Sequence, residues 1–222
     1  MSDTLRPSDS LKNVRYEIRG RLARRAHEME RMGHEIISLN IGNPGLFGFR
    51  TPETMRLAMI ENLRQSEAYC HQKGIFPARE AVVMQQQARG VHGVSAEEVF
   101  IGNGVSELIV MAMNALLDAG DEVLVPTLTF VATANAVSYI RAVPHFVECE
   151  AVSLGVDAGK LDAYLRENAQ IVNDVCINRH TGAPIKALVA MHVFGHPCDI
   201  EALDDLARRW KLVLVEDAAE SL

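Results

Sequence analysis

The chain lacks the paired cysteines that would staple a small fold or hold zinc. Cys70, Cys149, Cys176 and Cys198 lie far apart, which excludes a disulfide framework and a CxxC metal site. It also lacks any apolar run near the roughly 20 residues that cross a bilayer as a helix. Residues 1–15 are polar, with no apolar signal segment. A reducing cytoplasm and no membrane partner are expected. Positive charge is in deficit too: 22 basic against 29 acidic residues leave a formal charge of -7. That balance argues against nucleic acid or an anionic membrane as the main partner. Small anions remain possible ligands, because helix termini and single arginines bind them locally. No GxSxG or GxxxxGKS/T motif, internal repeat or low-complexity linker is present.

What is there is an ordinary globular composition. Over 222 residues, 48% are hydrophobic and 23% charged, enough to bury a core in one large domain or two small ones. A polar arm at 1–13 precedes a basic amphipathic helix at 15–32, with Ile18, Leu22, Ala26 and Met29 at helical spacing and Gly33 as its stop. Ile36 to Leu39 reads as a short strand running into turn formers at Asn40 to Gly45. Thr51 and Pro52 predict an N-cap and first helical residue for a helix to about Leu63. A second helix is expected at about Pro77 to Arg89. Ser95 to Glu98 spells a capping box, yet the strand-like Val99-Phe100-Ile101 follows at once, so only a turn is expected there.

From residue 99 the alternation becomes regular. Strands are expected at 99–101, 122–125, 143–148, 186–194 and 212–216. Helices are expected at 105–118, 131–140, 158–168 and 200–210, the last capped by Asp199, with a loop or short hairpin at 173–184. Helix 105–118 is apolar nearly all round and so is expected to be buried on several sides. Alternating strands and helices predict an α/β fold with a mostly parallel sheet and helices on both faces. Strands that are apolar on both faces agree with this. Ligands in such folds bind at the carboxyl ends of strands.

Four strand ends carry candidate chemistry. At Gly102 to Ile109, two glycines, Ser106 and a helix start could cradle a phosphate. The same residues could equally be a plain strand-to-helix turn capped by Asn103 or Ser106. Phe130 could stack on a flat ring or fill the core. Asp217, just past a buried strand, could meet a protonated pyridine nitrogen or cap the next helix. His192, His196 and Cys198 have a spacing that invites a metal, but they fall on different elements and no fourth ligand is evident. No metal is expected.

Two stretches resemble known enzymes. Residues 12 to about 120 are similar to class I aminotransferases of the alanine-aminotransferase-like branch. The carriers are Asn40-Ile41-Gly42-Asn43-Pro44 with Phe47-Gly48-Phe49, Tyr69-Cys70, Lys73-Gly74, Ala78-Arg79 and Gly102-Asn103-Gly104-Val105-Ser106-Glu107-Leu108. Residues from about 120 to 222 resemble the DegT/DnrJ-type nucleotide-sugar aminotransferases. They do so through Gly120 to Pro126, Thr129 to Ala136, His192 to Pro197 and Glu216 to Ser221. Both families use pyridoxal 5′-phosphate (PLP) on the aspartate-aminotransferase-like large domain of PLP fold type I. The patterns coincide at 119–126, so the chain looks like a chimera. Residues 1–50 would carry the arm, the first helix and a substrate loop, and residues 51–222 would form a partial cofactor domain, incomplete at the C-terminus.

The resemblance implies that Gly104, Val105 and Ser106 hold the cofactor phosphate and that Asp217 pairs with the pyridine nitrogen. Phe130 would stack on the ring, with Glu220 and His192 as weaker candidates near it. Tyr69 would reach the phosphate of a partner subunit, which implies a homodimer. Gly42 and Asn43 would lie near the substrate carboxylate. The implied reaction transfers an amino group between an amino-acid donor and a keto acid or nucleotide keto-sugar. Both families also need a Schiff-base lysine downstream of Asp217. None of Lys12, Lys73, Lys160, Lys186 or Lys211 matches that motif. The expectation is therefore a PLP-dependent aminotransferase by family with no catalytic lysine in these residues, inactive as it stands. The alternative is a non-catalytic fragment that binds PLP or phosphate or associates with a partner.

Overall fold

The structure is a computed structural model that describes residues 20–37 and 44–221. It divides into two compact units, Met1–Tyr69 and Cys70–Leu222. The polar arm, the start of the first helix, Ser38 and Leu39 of the expected strand, and Gly42 and Asn43 lie outside the described residues.

In the first unit, α1 spans Gly20–Arg31 and α2 spans Glu53–Asn62. Short 3-10 turns lie at Pro44–Phe47 and Leu63–Glu67. Pro52, expected at the first helical position, sits one residue earlier as the N-cap, and Thr51 makes no cap. Ile36 and Ile37 are irregular rather than strand. None of the described residues of this unit is buried.

The second unit holds the core. After α3 (Phe76–Ala88), the expected capping box forms at a single 3-10 turn, Ala96–Glu98. Its Glu98 accepts from the Ser95 N–H at 2.8 Å. Then come α4 (Val105–Leu116), β1 (Glu122–Pro126), α5 (Val131–Tyr139), β2 (Val143–Val147) and α6 (Ala158–Asn168). The chain continues through β3 (Ala169–Val172), β4 (Val175–Asn178), β5 (Pro184–Met191), α7 (Ile200–Trp210) and β6 (Val213–Asp217).

These strands form one mixed sheet in the order β2-β1-β5-β4-β3, with β6 also paired to β5. β1 pairs in parallel with β2 and β5, and β5 with β6. The β3–β4 and β4–β5 pairs are antiparallel. The β3–β4 hairpin turns at Asn173 and Asp174, both at positive φ, as a tight two-residue hairpin turn requires.

The period-2 alternation of β1 and β5 splits the core in two. Leu124, Leu188 and Ala190 face Leu161 and Leu165 of α6 and Leu203 and Leu206 of α7. Val123, Val125, Ala187 and Val189 face Ile109 and Met113 of α4 and Val137 of α5. This is a helix–sheet–helix sandwich, as the apolar strands predicted. α7 starts where expected because the Asp199 carboxylate accepts from the Ala202 N–H at 3.1 Å. It ends at Lys211 in the left-handed conformation.

Two further expectations fail in the second unit. Val99–Ile101 is not a strand: the Ile101 N–H bonds to the Lys73 carbonyl at 2.9 Å, and no strand lies beside it among the described residues. A strand exists only through its neighbours' hydrogen bonds. Helix α4 is not buried on several sides either. Ile109 and Met113 pack inward, while Val105, Met111 and Leu116 stay exposed. Among the described residues no helix is long and apolar enough to cross a membrane.

Candidate functional site

β1, β5 and β6 run parallel, so their carboxyl ends share one edge of the sheet. Met191 and Asp217 are direct partners across the β5–β6 pair. The starts of α4 and α5 converge on that edge around a cavity of about 250 Å³, lined by Val105, Ser106, Phe130, Thr133, Met191, Asp217 and Glu220 among others.

The first wall is the start of α4. Gly104 is its N-cap at φ 80°, a left-handed conformation that a side chain would strain. Gly102 approaches Leu108 so closely that a β-carbon there would lie 2.7 Å from its Cδ2. The N–H groups of Val105 and Ser106 open the helix, have no partner within it, and sit at its positive end. Ser106 adds a hydroxyl. The Glu107 carboxylate turns back to accept from the Asn103 N–H at 2.6 Å.

The second wall is the loop from β1 into α5. The Met191 thioether accepts from the Thr129 hydroxyl at 2.9 Å and from the Phe130 N–H at 3.3 Å. These contacts anchor Phe130 while leaving the residue 62% exposed.

The third wall is Asp217, only 6% exposed. Its Oδ2 accepts from the Thr133 hydroxyl at 2.7 Å and its Oδ1 from the Ala219 N–H at 3.3 Å. No ion pair reaches this carboxylate among the described residues. A buried carboxylate held only by neutral donors lacks a counter-charge. Glu220 is tied to the neighbouring turn by the Phe194 N–H at 2.6 Å.

Val105, Ser106, Phe130, Asp217 and Glu220 therefore meet in one cavity, and Gly104 caps the helix beside them. Tyr69 belongs to the first unit and is fully exposed. His192 is buried but does not line the cavity. Its Nδ1 accepts from the Cys198 N–H at 3.1 Å, which assigns the proton to Nε2, 3.2 Å from the Glu216 carboxylate. Both ring nitrogens are thus engaged, and HxxxHxC does not converge. Among the described residues no group of three or more His, Cys, Asp or Glu could hold a metal ion. Thr133 and Met191 were missed by sequence reasoning. Each acts through a partner more than 60 positions away, and no local pattern announces such a contact.

A sequence profile of the DegT/DnrJ/EryC1/StrS aminotransferase family matches residues 83–222, a stretch that includes every cavity residue named above. The chain belongs to this family.

Members of the family work with PLP, and the cavity fits that cofactor. An unpaired buried carboxylate suits a protonated ring nitrogen, Phe130 offers a stacking face, and the α4 start suits a phosphate. The glutamate-pyruvate aminotransferase AlaA of Escherichia coli K12 is 36% identical over 212 residues, 95% of this chain and 50% of that protein. The GDP-perosamine synthase of Caulobacter vibrioides is 32% identical over 120 residues, 54% of this chain and 28% of that protein. Among solved structures, an aminotransferase from Escherichia coli superposes with a TM-score of 0.75 at 32% identity, covering 96% of this chain and 51% of that one. An aspartate aminotransferase from Thermus thermophilus shares the fold, with a TM-score of 0.75 at 24% identity, covering 96% of this chain and 53% of that one. The fold is thus the aspartate-aminotransferase-like one of PLP fold type I. The chain spans about half the length of the curated relatives it matches over most of its own length.

Proposed function

We propose that these residues form the cofactor-binding part of an enzyme that moves an amino group between an amino acid and a keto acid or nucleotide keto-sugar. The observation that carries the reading is Asp217: a buried carboxylate without a cationic partner among the described residues, at a strand end and open to the cavity that Phe130 and the α4 start also line. PLP supplies an electron sink to such a reaction when its ring nitrogen is protonated. The chain's own part is to bind and orient. The Val105 and Ser106 N–H groups and the Ser106 hydroxyl take the phosphate. Phe130 covers one face of the ring, and Asp217 keeps a proton on the ring nitrogen.

The acceptor class follows from which resemblance governs. The alanine-aminotransferase-like relatives favour a keto acid, and the GDP-perosamine synthase match favours a keto sugar. Two resemblances meeting at about 119–126 support a chimeric origin. The widely spaced free cysteines support a cytoplasmic setting. Gly42 and Asn43 are assigned to the substrate carboxylate, and Tyr69 to the phosphate of a second subunit in a homodimer.

No lysine among the described residues lines the cavity. Lys73, Lys160 and Lys211 are each paired with a carboxylate, Glu97, Glu148 and Asp174 respectively. The 222-residue chain by itself is therefore expected to bind PLP without a covalent bond and to turn over no amino group, which is also what the non-catalytic alternative requires. Equilibrium dialysis against PLP tests the site. Inorganic phosphate should compete, and Ser106→Ala should weaken binding about fivefold, the size of one hydrogen bond. Binding indifferent to phosphate and to Ser106→Ala would remove the α4 start from the site. Borohydride treatment followed by peptide mapping tests the lysine statement. A PLP-labelled lysine together with turnover of glutamate and pyruvate would overturn it.

A further inference from the structure

We infer that Thr133 is the positioning residue for Asp217, fixing the direction of the carboxylate that meets the ring nitrogen. The inference rests on the PLP reading above and adds a residue to it. An ionised carboxylate can only accept hydrogen bonds, so the Thr133 hydroxyl turns its proton onto Oδ2, 2.7 Å away. Among the described residues, Thr133 is the one side chain that donates to Asp217. The other contact is the longer one from the Ala219 N–H, at 3.3 Å.

The backbone fixes where that hydroxyl sits. Thr133 lies in the first turn of α5, its N–H on the Phe130 carbonyl at 3.1 Å, and it is 2% exposed. Its branched β-carbon restricts the rotamer in a helix. Phe130, three residues earlier, is itself held by Met191, the direct strand partner of Asp217. One helix turn thus links the group that would stack on a ring to the group that would meet its nitrogen. A shift of α5 moves both together.

The test uses the 222-residue chain and two ligands: PLP, and its analogue with C–H in place of the ring nitrogen. The wild-type chain should prefer PLP. Thr133→Val keeps the side-chain shape and removes the hydroxyl. It should weaken PLP binding about tenfold, the size of a hydrogen bond to a charged group, and leave the analogue's affinity unchanged. Thr133→Ser should restore PLP binding to within about twofold. Asp217→Ala should abolish the preference, and adding Thr133→Val to it should cost nothing more, because the two residues act as one unit. Should Thr133→Val not fold, Thr133→Ala takes its place against Thr133→Ser. Equal losses for both ligands, or no loss for PLP, overturn the positioning role while the site stands. A wild-type chain that binds PLP no better than inorganic phosphate overturns the site and the inference together.

Discussion

Asp217 and Glu122 are both buried carboxylates, and their surroundings separate their roles. Glu122, at the start of β1, accepts from Asn178 Nδ2 at 2.8 Å, Thr181 Oγ1 at 2.6 Å and His145 Nδ1 at 2.8 Å. Burial pushes its carboxyl up, but these hydrogen bonds together hold it below the ordinary range. Three donors from three elements share its two oxygens, so Glu122 ties β1 to β2 and to the β4–β5 turn. A carboxyl depressed in the folded state stabilises fully above its unfolded value, and the effect is lost as the pH falls through the folded value. Glu122→Gln should therefore cost roughly 1–3 kcal/mol near neutrality, with a smaller deficit in acid. Urea unfolding at two pH values checks this, and a deficit that grows in acid would contradict it. The thiols show the same dependence on surroundings. Burial, and then the charge of Glu122, pushes Cys176 up to about 11, while Cys70 is exposed. At neutral pH a thiol reagent should modify Cys70 in the folded chain and reach Cys176 only on unfolding. Equal rates for the two would contradict this burial.

At the scale of the element, caps and periodicity decide. α6 and α7 begin at Asp157 and Asp199, whose carboxylates accept from the Lys160 and Ala202 N–H groups. Both helices lie where the sequence predicts them. Asp199→Ala should cost about 1 kcal/mol, read as a shift in the denaturant midpoint with unchanged slope. No shift would mean that packing alone sets the α7 start. Asp162 of α6 reaches Trp210 of α7 through the indole N–H at 3.0 Å, a link no periodicity reveals. Sequence reading erred where an element's state depends on its neighbours. Val99–Ile101 has strand composition and no strand to pair with. α4 has an all-round apolar sequence, yet only Ile109 and Met113 of it are fully buried. The sequence predicts a loop or short hairpin at 173–184, whereas the hairpin's first strand begins at Ala169. Its turn sits at Asn173-Asp174, residues that tolerate positive φ.

At the scale of the whole molecule, burial is uneven. The second unit holds both cores, and the described residues of Met1–Tyr69 include no buried side chain. Limited proteolysis should therefore cut within 44–69 well before 122–217, because cleavage follows local opening. Equal protection of the two stretches would show that the first unit is covered in solution. Among the described residues β6 pairs on one side only, and Val213 on it is exposed. An open edge with apolar surface favours association. Sedimentation should show self-association of the 222-residue chain, and a monodisperse monomer would contradict that expectation.

The sequence by itself determined which segments of the second unit become helices and most of its strands, because apolar period and capping residues act over a few positions. It also marked Ser106, Phe130 and Asp217 as candidate cofactor contacts, because strand ends and helix starts are local features, and the family resemblance added Val105 and Glu220. Only the tertiary structure decided that these five share a cavity, that His192 is occupied elsewhere, and that Asp217 leans on Thr133. Those facts depend on which strands lie side by side. Thr133 and Asp217 are 84 positions apart and meet only because α5 packs against the sheet that carries β6.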